Sequence, residues 1–120
     1  MARIGHIALL TKDTEKLAAF YRASFGLNEV ARSGEASEHG QAIYLSDGHI
    51  NLAILPARNR KEGIFHFGMA VEDVKGAVST AKANGATGGT DKLPRDGRFA
   101  ETFVLDPVGT RVDLSPGWKV

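Results

Sequence analysis

Two stretches decide the fold: GHIALLTKDTEKLAAFYRASFGL at 5–27 and FHFGMAVEDVKGA at 65–77. Each opens on a histidine in a short apolar run, and each reaches an aspartate seven positions later, His6 to Asp13 and His66 to Asp73. Past each aspartate the apolar residues recur at helical rather than strand spacing. Leu17, Phe20, Tyr21 and Phe25 make one stripe, with Ser24 standing at its i+7 place. Val74, Ala77, Val78 and Ala81 make the other. Asp13 and Asp73 are suited to N-caps, because a carboxylate accepts from the backbone N–H groups that a first turn leaves unpaired. Gly26 and the pair Asn84-Gly85 are suited to stop the helices.

Working outward, residues 3–10 and 64–71 are apolar runs of strand length, and three further strands follow each helix, at 27–32, 41–46 and 49–55, then at 86–93, 99–105 and 110–115. YLSDGHINL (44–52) and FVLDPVGTRVDL (103–114) share one plan: an apolar strand, a turn beginning at Asp, a second apolar strand. The offset between copies is 60 at the histidines, 59 at Asp47/Asp106 and 62 at Asn51/Asp113, the drift that small loop insertions produce. The order β-α-β-β-β therefore occurs twice. The expected organisation is one α+β domain spanning 1–120, with one module at about 1–56, a polar basic linker at about 56–63 (PARNRKEG) and a second module at about 63–120. The segment 33–40 (SGEASEHG) reads as a loop, and it and 95–99 (RDGRF) are candidate lids.

Composition narrows the function. At 120 residues the chain fits a single domain, with 42% hydrophobic residues to bury. No cysteine is present, which removes disulfide scaffolds, thiolate metal sites and cysteine nucleophiles. Fifteen basic against fourteen acidic residues leave +1, no footprint for nucleic acid or an anionic membrane. No apolar run approaches membrane-spanning length, and the start MARIGHIALL lacks a signal peptide's layout. The expectation is a soluble cytoplasmic protein whose metal, if it has one, is held by nitrogen and oxygen.

Strand alternation places the polar residues. Phe65, Phe67, Met69 and Val71 share one face of their strand; His66, Gly68 and Ala70 share the other. The same alternation sets His6 against Ile7 and Leu9, His49 and Asn51 against Ile50 and Leu52, and Arg111 and Asp113 against Val112 and Leu114. With the bulky faces on the helices, the opposite face collects His6, His49, Asn51, His66, Arg111 and Asp113. Small residues beside each histidine leave room there. Polar groups on such a face need hydrogen bonds, water or a metal. Each also has a plainer role: a satisfied core histidine, a strand-end carboxylate for Asp113, a salt-bridge partner for Arg111, a strand start for His49. His39, in the polar loop, reads as exposed, and Trp118 as packing over the sheet, in an interface, or as a tail anchor.

The quoted stretches, the Asp-Pro-x-Gly turn at 106–109 and Phe20-Tyr21-Arg22 on the first helix resemble the vicinal oxygen chelate superfamily, which holds glyoxalases, bleomycin-resistance proteins and extradiol dioxygenases. The resemblance implies two βαβββ modules forming a half-open mixed β-barrel, helices outside, around a divalent metal (Fe, Mn, Ni or Zn). It matches His6, His66 and Asp113 to metal ligands, Asp113 standing where Glu is usual, and Asn51 to the remaining ligand position. It implies an enzyme acting on a small oxygen-chelating substrate: a lyase, isomerase, epimerase or dioxygenase. Asn51 replaces the glyoxalases' glutamate and cannot act as a base. Phe103 replaces the ring-cleaving members' tyrosine, and Pro94-Arg95-Asp96 lacks their upstream histidine. Glu101 or His49 is then the candidate proton-transfer group, with Tyr44, Asn51, Phe103 and Arg111 the candidate substrate contacts. The resemblance also implies a homodimer. The alternative is a metal-free drug or small-molecule binder of the bleomycin-resistance kind, whose members usually lack the histidine pair.

Overall fold

The computed structural model describes residues 2–90 and 102–120. The elements run β1 (Arg3–Thr11), α1 (Thr14–Phe25), β2 (Asn28–Ser37), β3 (Gly40–Ser46), β4 (Asn51–Pro56), β5 (Gly63–Ala70), α2 (Val74–Ala83), β6 (Thr87–Thr90), β7 (Phe103–Leu105) and β8 (Arg111–Ser115). This is the doubled β-α-β-β-β order of an α+β fold. The chain forms two compact units, Met1–His6 with His66–Trp118, and Ile7–Phe65 with Lys119–Val120.

In the unit built on Ile7–Phe65, β2, β3 and β4 pair antiparallel, with Ile43 opposite Ile54 and Ser46 opposite Asn51. The α1 helix starts where the spacing predicts: Asp13 Oδ1 accepts from Lys16 N at 3.0 Å, and Gly26 closes it in the left-handed region at φ 71°. The core is Leu9, Ala18, Ile43, Leu45 and Ile54, with Ile7, Leu17, Tyr21, Leu27 and Leu52 packed on it. The helix stripe is narrower than expected. Leu17 and Tyr21 reach the core, but Phe20 and Phe25 stay 53% and 67% exposed, Phe20 edge-on to both Tyr21 and Phe25. Small Ala18 lies fully buried and brings the helix in on that side instead.

The expected loop at 33–40 is mostly strand. β2 runs on to Ser37, pairing Ser33 with Ala42 and Ser37 with Gly40, with register shifts between 29 and 31 and between 33 and 37. An edge strand needs only backbone partners on one side, so its side chains stay polar and leave no alternating pattern. His39 is also not simply exposed. Its carbonyl accepts from Thr14 N at 3.0 Å and its Nδ1 accepts from Arg58 N at 3.1 Å, so it joins the start of α1 to the segment after β4. Arg32 on β2 pairs with Glu15 of α1 and with Glu29, and its hydrogen bond holds the Glu29 carboxyl below the usual range.

In the other unit β5 and β8 are parallel, Gly68 opposite Asp113, while β7 pairs antiparallel with β8 and with β6. Asp73 caps α2 by accepting from Gly76 N at 3.0 Å. The core is Val74, Val78, Val104, Val112 and Leu114, with Phe67, Met69 and Val71 packed on it. The two turns read as equivalent are built alike. Asp47 Oδ1 accepts from the N–H groups of His49 and Ile50 at 2.8 and 2.9 Å, and Asp106 Oδ1 from those of Val108 and Thr110, both at 2.9 Å. The backbone bonds from Ile50 and His49 hold the Asp47 carboxyl below its ordinary range. Its contribution to stability is therefore present above the unfolded pKa and fades as pH falls through the lowered folded one. The strand segments expected at 91–93 and 99–101, and the candidate lid at 95–99, lie outside the described residues. Among the described residues no helix is long and apolar enough to cross a membrane.

Gly40 is the tightest backbone constraint at the α1 start. Its φ is +94°, and a Cβ there would sit 2.1 Å from Thr14 Oγ1. Gly34, at φ +73°, has nothing within 4 Å of the same atom. Gly34→Ala should lose about 1 kcal/mol of unfolding free energy, the left-handed penalty alone. Gly40→Ala should lose about 2–3 kcal/mol, because the clash adds to it. Urea titration of both variants measures the difference, and equal losses would show that the contact with Thr14 carries no cost.

Candidate metal centre

Three buried side chains converge in the unit that holds Met1–His6 and His66–Trp118. His6 from β1, His66 from β5 and Asp113 from β8 are 5%, 5% and 3% exposed, and each offers a ligand atom within 4.8 Å of the others. His6 Nε2 lies 3.2 Å from His66 Nε2, and His66 Nε2 lies 3.1 Å from Asp113 Oδ2. The parallel register of β5 and β8, Gly68 beside Asp113, brings His66 and Asp113 into reach.

The donor set fits a divalent ion. Bonds of about 2.0–2.2 Å at octahedral to tetrahedral angles put neighbouring ligand atoms about 2.8–3.6 Å apart. The His6–His66 and His66–Asp113 separations fall in that window, and all three ligand atoms lie within 4.8 Å of one another. At 3.2 Å the two ring nitrogens have space for at most one proton between them, so one lone pair already faces the other ring. Two imidazoles and one carboxylate leave coordination positions open and do not select among Fe(II), Mn(II), Ni(II) and Zn(II).

Asp113 is also held from behind. Arg111 Nε donates to Asp113 Oδ1 at 2.7 Å, with Nη2 at 3.5 Å from Oδ2. The guanidinium lies over the Phe103 ring, 4.2 Å from its centroid, and Phe103 stands opposite Asp113 in the β7–β8 ladder. The arginine thus fixes one carboxylate oxygen and leaves the other turned to His66, the outer arrangement that orients ligands in metal sites. Arg111 thus makes an ion pair with Asp113.

Trp118 fills the room that small residues were expected to leave. Its indole is stacked on the His6 imidazole, centroids 4.8 Å apart and planes 7° apart. A Cβ on Gly68 would lie 2.6 and 2.8 Å from indole carbons, and one on Gly5 3.2 Å. The sequence carried a signal for this seat, glycines beside both histidines and one tryptophan in the chain, but nothing in it linked them.

The remaining candidates lie in the other unit or outside the described residues. Asn51, 2% exposed, donates from Nδ2 to the Lys119 carbonyl at 2.9 Å. Tyr44 is buried, its hydroxyl 3.0 Å from Ser33 Oγ. His49 stands exposed in the turn that Asp47 organises. Glu101 lies outside the described residues.

Comparison with known proteins agrees with this architecture. The chain is 32% identical over 118 residues to Metapyrocatechase 2 of Cupriavidus necator, covering 94% of this chain and 36% of that protein. The chain thus spans about a third of that relative's length. Among solved structures, a hypothetical protein of Bacillus halodurans C-125 superposes with a TM-score of 0.77 at 19% identity, covering 94% of this chain and 92% of that one. Methylmalonyl-CoA epimerase of Mycobacterium tuberculosis gives 0.72 at 15% identity, covering 92% and 85%. These structures share the fold. With residues 3–114 matching the family as a whole, the chain belongs to the Glyoxalase/Bleomycin resistance protein/Dioxygenase superfamily.

Proposed function

We propose that this chain is a divalent-metal enzyme of the vicinal oxygen chelate type, acting on a small molecule that presents two neighbouring oxygens. The observation that carries the reading is the convergence of His6, His66 and Asp113, all buried, with ligand atoms within 4.8 Å. The family membership, the similarity to a protein named metapyrocatechase and the fold shared with epimerases support the same class. A divalent ion held by these three side chains would act as a Lewis acid on substrate oxygens. His6 and His66 would hold it as neutral imidazoles, and Asp113, held in place by Arg111, would supply charge. A homodimer belongs to the same reading, measurable by light scattering.

The residues also bound the reaction. Phe103 has no hydroxyl and carries Arg111 on its ring face. Asn51 has no basic pair to take a proton, and its amide N–H is engaged with Lys119. Proton transfer therefore falls to Glu101 or His49, and the exposure of His49 makes Glu101 the one to test first. The second reading, a metal-free binder, would leave the same three donors as a buried hydrogen-bonded cluster.

Metal content separates the two. Protein purified without chelators should carry about one divalent ion per chain by mass spectrometry. His66→Ala and Asp113→Ala should lose at least about tenfold in Mn(II) affinity while keeping the parent's circular dichroism. A parent that binds no divalent ion, or variants that bind as the parent does, would end the enzyme reading in favour of the binder. Ring opening of catechols and solvent-hydrogen exchange into methylmalonyl-CoA then assay two reaction classes. In either, Glu101→Gln should abolish turnover where His49→Gln leaves it.

Arg111 gives a separate test. Arg111→Met leaves a carboxylate 3% exposed without its guanidinium. It should cost about 3 kcal/mol in urea titration and weaken Mn(II) binding by about tenfold or more. Arg111→Lys should fall between, because it keeps the charge and loses the planar fork. Undiminished stability in Arg111→Met would mean that the ion pair does not support Asp113.

A further inference from the structure

We propose that Trp118 is a positioning residue for His6, the stacked indole setting the plane in which that imidazole presents Nε2 to His66 and Asp113. The proposal rests on the reading of His6 as a metal ligand and adds to it the group that aims the ligand.

The torsion that turns a histidine ring about its Cβ–Cγ bond is broad, so rotamer preference alone does not fix the ring plane. A group lying on the ring face limits that rotation. In His6 that group is the indole, 4.8 Å away between centroids and within 7° of parallel. This lies in the range where aromatic rings attract beyond the area they bury. The two rings of the proposed ligand pair are by contrast tilted at 41°, centroids 5.2 Å apart, and meet edge to edge through their Nε2 atoms at 3.2 Å, so His66 does not cover a face of His6.

The indole is itself held on two sides. Below it are Gly5 and Gly68. Neither is among the residues of positive φ, so their backbones need no glycine. What they supply is the absence of a side chain. A Cβ on Gly68 would meet the indole at 2.6 Å and His6 Cβ at 3.2 Å. Ahead of it, Ser115 clamps the approach: its hydroxyl donates to the Gly117 carbonyl at 2.9 Å and accepts from Gly117 N at 3.1 Å. Ser115 closes β8, two residues past Asp113. The run Ser115-Pro116-Gly117-Trp118 thus carries the chain from the strand of one proposed ligand to the ring face of another.

The test uses Trp118→Phe, Trp118→Leu and Gly68→Ala in the full chain, checked for fold by circular dichroism. First, the imidazole C–H signals of His6 are followed by NMR without metal, assigned with His6→Gln. The parent's should lie upfield in the indole ring current, Trp118→Leu should lose that shift and broaden, and Trp118→Phe should keep part of it. Gly68→Ala should displace the indole, moving the same signals and the chain's single-tryptophan emission together. Second, Mn(II) affinity is measured by calorimetry. Trp118→Leu should weaken it about tenfold or more and Trp118→Phe by less than about threefold, the range seen when groups behind a ligand are changed. His6 signals unmoved in Trp118→Leu, or equal affinities in parent and Trp118→Leu, would overturn the proposal. A parent that binds no Mn(II) would overturn the metal reading instead, and the NMR arm would still decide whether Trp118 orients His6.

Discussion

A carboxylate taken out of water inside a sheet must be compensated where it stands, and Asp113 is 3% exposed between two residues of an apolar core. Its compensation is local: Arg111 two residues earlier on the same face, at 2.7 Å, and His66 on the neighbouring strand, at 3.1 Å. Arg111 keeps about a quarter of its side chain in solvent and rests on Phe103, so the cation pays less desolvation than the anion it serves. This one arrangement specifies β8 from both faces. A one-residue slip would turn Asp113 toward Val104 and the rest of that core and carry Val112 and Leu114 to the polar side. The apolar pattern and the ion pair demand the same register, so burial of the core face and placement of the proposed ligand on β8 reinforce each other.

Much of this was legible because the chain states it twice. Asp13 and Asp73 lie at matched distances from matched histidines, and a carboxylate at a helix start has few other uses there. The alternation in β5 and β8 sorted His66, Arg111 and Asp113 onto one face from residue identity alone. What escaped were interactions that leave no periodic trace. β2 past Arg32 is held by backbone bonds at a sheet edge, so its polar side chains resembled a loop. His39 works through its carbonyl and one ring nitrogen, and a sequence does not show what a lone histidine will face. Phe20 and Phe25 have the right spacing for a buried stripe, but a helix lies down on its smallest buried residue, and here that is Ala18. Trp118 is visible as a tryptophan and Gly68 as a glycine, yet only the folded chain shows that one is the seat of the other.

The same duplication shows how equivalent positions part company. Asn51 and Asp113 hold matching places in the two copies, and both are almost fully buried. Their partners have opposite polarity. Asn51 Nδ2 faces a carbonyl oxygen and must donate, whereas Asp113 Oδ1 faces the Arg111 guanidinium and must accept. Aspartate at 51 would set a charge against the Lys119 carbonyl in a place where water cannot separate them. Asparagine at 113 would remove the charge that Arg111 is placed to meet, and turn an N–H toward a donor in one of its two flips. A backbone that can be copied whole therefore cannot keep copied side chains once one copy gathers donors. The position that meets cations becomes an acid, and its twin, released from that demand, becomes a donor to the chain itself.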